Sequence, residues 1–213
     1  MGIYVKKDAT IEVKAPRNLP KGIIDKYVET KSSWIEENLS KMLDKVNMRN
    51  QFTLKYGDTI FVAGKEHVIH PSLPRRYMFC ENRLEVPSGL EPEEIRRIVI
   101  MAYKKIAKQI IRVKVDYYSE KLNVLPDKVG ITSANTNWGS CSIKGNLNFS
   151  WKLLLADEEE IVDYVVVHEL SHLKEHNHSS AFWEVVASVM PEYKEIEKKL
   201  KTLQDRISKE YWD

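Results

Sequence analysis

Histidines are concentrated in one short segment, because four of the six lie within residues 168–178. On an α-helix, residues four positions apart project from the same face one turn apart, so His168 and His172 can bind one metal ion together. Glu169 follows the first histidine, and its carboxylate is placed to take a proton from a water molecule activated by that ion. The spacing therefore predicts a Zn²⁺ site with Glu169 as the general base of a hydrolase.

A catalytic zinc ion needs a third protein ligand and one open position. His178 lies six residues beyond His172, after a turn that Asn177 would make in the left-handed conformation. Glu192 is the alternative, delivered by a second helix. His176 would require the helix to continue, and three ligands spread over two turns are too far apart for one ion. We favour His178, and the choice between His178 and Glu192 stays open here.

The residues around the histidines predict the helices that hold them in place. An apolar stripe over Ile161–Val165 leads into His168 and puts the histidines on an inward face. The acidic run 157–160 offers Asp157 as the N-cap and negative charge at the helix start. After the histidines, Ser179 or Ser180 is expected to cap a short helix over Ala181–Val189, and Pro191 opens a terminal helix.

Upstream, the hydrophobic period changes from helix to strand and back. The pattern predicts a strand at residues 10–14, a helix from Pro20 to about Val46 restarted by a capping box at Ser33–Glu36, and a long helix from Pro92 to about Leu122. Between the two helices, period-two runs predict a meander of hairpins. The predicted strands of this meander and of the last third are Phe52–Tyr56, Thr59–Val62, His67–His70, Tyr77–Cys80, Leu84–Val86, Val129–Ala134 and Asn146–Leu155.

The residues that flank the histidine segment in the sequence also carry expectations. Cys141 lies in Asn137–Ser142, which we interpret as a tight turn with a small buried thiol rather than a nucleophile, because no separate base accompanies it. The following strand, Asn146–Leu155, is expected to border the cleft and to pair with an extended substrate. Phe182 and Trp183 are expected in the core, and Tyr193 at the surface.

Composition limits the classes of protein that the chain can represent. The 213 residues, 43% hydrophobic and 30% charged, are typical of a globular protein with a real core. The net charge of +2 does not support a surface built for nucleic acid, which leaves only a local basic face for such a partner. Two cysteines, no signal peptide at the start and no apolar run of about 20 residues predict a cytoplasmic protein without a membrane partner. Nothing in the pattern indicates the oligomeric state.

The chain resembles the YgjP-like metallopeptidase family, a relative of the SprT and WLM metalloproteases within the zincin-like group. The likeness extends over nearly the whole chain and is most specific between residues 138 and 183. The matching stretches are Trp138–Ser142, Asp163–Leu173, Asn177–Ser179, Phe182–Trp183 and Pro191–Lys194. One departure is Asn137, where the family pattern leads us to expect a basic residue before the tryptophan.

The resemblance implies His168, His172 and His178 as zinc ligands and Glu169 as general base. It also implies an α+β fold in which a zincin-like half carries the HExxH helix. We expect residues 1–122 to form the N-terminal helix, β-meander and long helix, and residues 123–213 the metal-binding half, packed as one compact unit.

The predicted function is therefore zinc-dependent hydrolysis of peptide bonds in a peptide or protein. Two alternatives remain open. One is a zinc-dependent nucleotide pyrophosphohydrolase, with phosphates bound by cations such as Lys152, Lys174 or Arg112. The other is a non-enzymatic binding module stapled by zinc, with Cys141 or Glu192 closing the coordination.

Overall fold

The computed structural model describes residues 1–73 and 76–212. The chain forms two compact units, one made of Met1–Phe52 and Asp205–Asp213, the other of Thr53–Gln204. The histidine segment and the long helix both belong to the second unit. The division that we expect near residue 122 remains a prediction about how the chain is organised.

The first unit combines a β-hairpin with two helices. Strands β1 (Gly2–Val5) and β2 (Ile11–Lys14) pair antiparallel, and helices α1 (Lys21–Thr30) and α2 (Ser32–Gln51) follow. The helical stretch predicted from Pro20, with a restart at Ser33, is two helices that are separated at Lys31. The predicted capping box is wrong, because α2 already begins at Ser32, its N-cap is Lys31, and no side chain caps it.

The second unit begins with a four-stranded sheet that is not a simple meander. Its strands are β3 (Thr59–Val62), β4 (Lys65–Ser72), β5 (Met78–Cys80) and β6 (Arg83–Pro87), in the order β3-β4-β6-β5. The two hairpins are antiparallel as predicted, but β4 and β6 pair parallel. This pairing sets the fully buried Ile69 beside Leu84, so burial of both side chains selects it.

The predicted strand Phe52–Tyr56 is irregular instead. Tyr56 donates its hydroxyl hydrogen bond to the Pro87 carbonyl, and the turn at Gly57 has a φ of 91°. The chain therefore bends toward β3 at the point where a strand would have continued.

Helix α3 spans Pro92–Leu122, which confirms the predicted long helix. Glu91 and Glu94 form a reciprocal capping box at its start, and Asn123 ends it in the left-handed conformation with a φ of 50°. One face of α3 is fully buried. Its members are Val99, Ala102, Tyr103, Ala107, Ile111 and Val115.

A three-stranded sheet follows, made of β7 (Lys128–Thr132), β8 (Gly139–Cys141) and β9 (Asn146–Ser150). The order is β7-β9-β8, which leaves β8 at an edge. The predicted strand Asn146–Leu155 is too long, because Trp151–Leu155 form a 3₁₀ helix. All five of its residues are buried, so this apolar run has the composition of a buried strand without its backbone.

Three helices complete the second unit: α4 (Glu159–Ser171), α5 (Ser180–Val189) and α6 (Tyr193–Ser208), whose last turn belongs to the first unit. Ser179 caps α5 as predicted, accepting a hydrogen bond from the Phe182 amide. Asp157 does not cap α4, because the N-cap is Glu158, without a side-chain hydrogen bond. No helix among the described residues is long and apolar enough to cross a bilayer.

The N-terminus of α4 is fixed by the turn between β3 and β4. The amides of Ala63 and Gly64 donate to the carbonyls of Leu154 and Ala156, just before the helix. Gly64 has a φ of 87°, and a β-carbon there would lie 2.5 Å from the Glu159 nitrogen. Only glycine fits this close approach, so the hairpin sets where the histidine helix begins.

Candidate metal centre

The last turn of α4 carries the first two residues of the HExxH motif. His168 and Glu169 lie inside the helix, and His172 is its C-cap residue with φ −64° and ψ −16°, still in the right-handed helical region. The helical spacing is therefore kept through His172, and the rings of His168 and His172 are 5.0 Å apart. Both rings face the fully buried ring of Phe182 on α5.

His178 reaches the same place through a tight connection between α4 and α5. The amides of Leu173, Lys174 and Glu175 all donate to carbonyls of the last helical turn. Asn177 does not adopt the predicted left-handed conformation. Its side chain instead accepts a hydrogen bond of 3.1 Å from the Ser179 amide, and this local bond turns the chain without a positive φ.

The three imidazoles present a compact set of nitrogen donors. One ring nitrogen from each of His168, His172 and His178 lies within 4.8 Å of the other two. The Nε2 atoms of His168 and His178 are 3.0 Å apart. Two ligands of one tetrahedral zinc ion, with bonds of about 2.0–2.1 Å, are separated by roughly 3.3 Å. The spacing of the His168 and His178 nitrogens thus matches two ligands of one ion.

The protonation of the rings also fits a metal. Burial, followed by the neighbouring His172 and His178, lowers the pKa of His168 to about 4, so its ring is neutral at pH 7 and has a free lone pair. The Nδ1 of His172 lies 3.1 Å from the Glu175 carbonyl, which orients that ring and leaves Nε2 for an ion. The Nδ1 of His168 is buried with no hydrogen-bond partner among residues 1–73 and 76–212.

Glu169 lies against strand β8. Burial raises the pKa of its carboxyl to about 7. A β-carbon at Gly139 would lie 2.5 Å from Glu169 Cγ and 2.6 Å from Oε1, so the strand backbone passes directly over the carboxylate. Burial and then Glu169 raise the pKa of the Cys141 thiol, which keeps that thiol protonated.

A cleft of about 370 Å³ opens beside His168 and Glu169. Strand β8, helix α4 and helix α6 supply its walls. The wall residues include Trp138, Tyr164, Val165, Glu197, Leu200 and Lys201. The contribution of α6 was not predicted from the sequence, because only the tertiary structure brings residues 197–204 to the histidine helix.

The other donors considered from the sequence lie outside the group of three nitrogens. Neither Cys141 nor Glu192 joins the donor group found among the described residues, and His176 is exposed. Phe182 is in the core as expected, whereas Trp183 is half-buried and stacks on Tyr193, with ring centres 5.0 Å apart.

Two structural corrections bear on how a substrate would approach. Residues 139–141, predicted as part of a turn, form the edge strand β8. Strand β9, predicted to pair with an extended substrate, is covered on both sides by β7 and β8, so its backbone groups are already used. The free edge beside the cleft is therefore that of β8.

A mixed α and β protein that presents three histidines and a glutamate at one helix end has the donor set of a metallohydrolase. The sequence profile of the family described as "YgjP-like, metallopeptidase domain" matches residues 1–203. The chain belongs to this family, which confirms the resemblance.

Individual relatives match shorter stretches. A UTP pyrophosphatase of Escherichia coli (strain K12) is 28% identical over 81 residues, which are 38% of this chain and 48% of that protein. The match thus spans about half the length of this curated relative. Two crystal structures of metallopeptidase zymogens, Pyrococcus abyssi abylysin and Methanocaldococcus jannaschii jannalysin, are 31% and 26% identical. Each covers 43% of this chain, and 92% and 94% of their own chains are covered, with a TM-score of 0.40 in both cases.

Proposed function

We propose that the chain is a zinc-dependent peptidase that hydrolyses peptide bonds, with His168, His172 and His178 as ligands and Glu169 as general base. The observation that carries this proposal is the geometry of one helix end. Three imidazole nitrogen donors lie within 4.8 Å of one another, and the carboxylate next to the first of them opens onto a cleft. Membership in the YgjP-like metallopeptidase family supports it independently.

Each residue has a separate task in this proposal. Zinc, when bound, supplies a Lewis acid that polarises a substrate carbonyl and makes a water molecule more acidic. Glu169 takes a proton from the attacking water on a carboxylate oxygen and returns it to the leaving amine. Its buried position favours this exchange, because burial brings the pKa of the carboxyl near neutrality. Phe182, packed against all three imidazole rings, holds the ligands in place.

The charges around the cleft favour a peptide over a nucleotide. Lys201 is the cationic side chain lining it among the described residues, and it is paired with Glu197 at 2.9 Å. Lys152 is buried and donates to Asn135, and Arg112 pairs with Asp116 on α3. A triphosphate needs several unpaired cations or a backbone cradle. The likeness to a UTP pyrophosphatase keeps phosphoanhydride hydrolysis as the second candidate.

A purely structural zinc site is less well supported. Structural zinc is bound by four protein ligands, whereas catalytic zinc retains an open position. Within the part of the chain that the structure describes, three histidines come together, and Cys141 and Glu192 are outside the group. The donor set thus leaves room for water and substrate.

The test combines metal analysis with turnover on protein purified without added metal. Wild type is compared with Glu169→Gln, using an unfolded protein and a panel of nucleoside triphosphates as substrates. We expect about one zinc per chain in both proteins, cleavage of the unfolded protein by wild type, and at least a 10³-fold lower rate, as an order of magnitude, in the variant.

The matched control is Glu184→Gln, an exposed glutamate on α5, which should retain full activity. Turnover that survives in Glu169→Gln would exclude Glu169 as the base. Hydrolysis of a triphosphate but not of protein would replace the peptidase by the second candidate. A failure to bind zinc at micromolar concentrations would exclude both the zinc-dependent peptidase and the zinc-dependent pyrophosphohydrolase.

A further inference from the structure

The inner part of the 370 Å³ cleft is apolar. Val165 lies three residues before His168 on α4, Trp138 precedes the edge strand β8, and Leu200 faces them from α6. Because His168 and Glu169 line the same cleft, a group bound there lies next to the bond that would be cleaved. The volume is near the lower end of the range of about 300–1,000 Å³ for ligand pockets. It therefore suits one substrate side chain rather than a folded segment.

The polar groups of the cleft offer little to a negatively charged ligand. Glu197 and Lys201 neutralise each other across one helical turn of α6. The aromatic ring of Tyr164 is buried within the wall and lies edge-on to His168, with ring centres 5.9 Å apart. An anion would thus lose its hydration without gaining an unpaired cation from the described lining.

We propose that Leu200 is a specificity-determining residue, and that with Val165 and Trp138 it forms a pocket for one large apolar side chain of a peptide substrate, such as leucine, methionine or phenylalanine. This inference rests on the proposed peptidase function for its substrate class. It adds that Leu200 of α6, which lies 28 residues beyond His172 in the sequence, and not the metal segment, determines which peptides are accepted.

The experiment compares wild type with Leu200→Ala and Leu200→Lys. Leu200 is half-buried, so both variants should fold, and their zinc content and melting temperature are measured first. The matched control is Lys198→Ala, an exposed α6 residue paired with Glu195 and outside the cleft. Cleavage of a mixed peptide library is read by mass spectrometry, position by position.

A second readout does not depend on turnover. Each variant is also made in zinc-loaded Glu169→Gln protein, and binding is titrated by calorimetry with peptide pairs that carry phenylalanine or alanine at one position. Any dependence of binding on Leu200 is then measured even if no peptide is cleaved.

We expect one position to prefer a large apolar residue over alanine by about 10-fold or more in wild type, in both kcat/KM and binding. Leu200→Ala should reduce this preference about 10-fold, Leu200→Lys should abolish it, and Lys198→Ala should keep it. An unchanged preference in both Leu200 variants, or a charged residue preferred at the Leu200-sensitive position, would overturn the proposal. Loss of peptide cleavage with Leu200-dependent peptide binding would instead reject the activity and keep the pocket.

Discussion

At the scale of single residues, Gly139 matters through the side chain that it lacks. The backbone of β8 lies so close to Glu169 that a β-carbon at position 139 would overlap Cγ, Cδ and Oε1 of the carboxylate, at 2.5–2.8 Å. Glu169 is buried on its other sides, so it would have to turn away from its present position. Gly139 thereby fixes where a proton can be accepted.

The first prediction concerns this contact. Gly139→Ala should lower kcat by at least about 10-fold, because a shift of about 1 Å in a catalytic group can cost 10²-fold. Zinc affinity should stay the same, since the three atoms nearest to the new methyl group all belong to Glu169 and not to a histidine. Steady-state kinetics and zinc titration measure both quantities. Ser140→Ala, at an exposed position of the same strand, is the control, and equal kcat values in the two variants would contradict the prediction.

The second prediction distinguishes the two candidates for the third ligand. His178→Ala should weaken zinc binding by at least about 10-fold, because it removes one of three donors that lie together. Glu192→Gln should leave zinc binding unchanged. Competition with a chromophoric chelator measures both affinities, and the reverse result would move the ligand to α6's N-terminal end.

The sequence was informative about the site wherever the geometry is local. The spacing of His168 and His172 needs only the helical repeat, and the position of His178 follows a few residues later. Gly139 was seen only as part of a turn, because its role depends on a strand edge that packs on a helix 30 residues further along the chain. The sequence predicts a turn at Asn177 through a left-handed backbone, but the side chain of Asn177 turns the chain instead, through its hydrogen bond with the Ser179 amide.

At the scale of elements, a single lysine connects the long helix to the histidine helix. Lys114 on α3 lies 2.6 Å from Asp163 and 2.7 Å from Glu159, both on α4. The side chains of Lys114 and Asp163 are only 12% and 18% exposed. Burial still raises the pKa of Asp163, although Lys114 lowers it. The ion pair thus offsets part of the cost of burying a carboxylate between α3 and α4.

The third prediction follows from that pair. Lys114→Met should lower the free energy of unfolding at neutral pH by about 1–3 kcal/mol, because it leaves Asp163 buried without its cation. The folded state already binds the Asp163 proton more tightly than the unfolded chain does, because burial raises the pKa of Asp163. Removing Lys114 raises this pKa further. The loss should therefore shrink as the pH falls and Asp163 becomes protonated.

Urea unfolding at about pH 8 and at about pH 5 measures this difference, because the lower pH is nearer to the raised pKa of the Asp163 carboxyl. Lys108→Met, an exposed lysine on α3, should change little at either pH. An equal loss of stability at both pH values would mean that packing of the Lys114 stem, and not its charge, stabilises the contact between α3 and α4.

Among the elements, the bounds of α3 agree with the prediction from Pro92 to about Leu122, because its signals are local: a proline at the start and a helical period. Strand pairing was harder. Parallel pairing of β4 with β6 depends on which buried faces meet in the folded protein. The alternating pattern of a single strand does not indicate which other strand it pairs with. The run Trp151–Leu155 was misread as strand because complete burial removes the alternation that separates strand from helix.

At the scale of the whole molecule, metal binding and folding are linked. The fourth prediction is that zinc at about 100 times its Kd raises the free energy of unfolding by up to about 2.7 kcal/mol, or roughly 5–10 °C in Tm for a chain of this size. Calorimetry with excess zinc and with a chelator measures the shift. His168→Ala should not show it, and a wild-type Tm that is insensitive to chelation would contradict the linkage.

All three imidazoles come from residues 168–178, so the loop that must close to bring them together is short. Little chain entropy is lost in closing it, even when the rest of the protein is unfolded. A peptide of residues 165–180 is therefore expected to bind Co²⁺ weakly, which absorption spectroscopy can detect. During synthesis this segment leaves the ribosome before α6, so the three proposed ligands would be available to an ion before the helix that completes the cleft has been made.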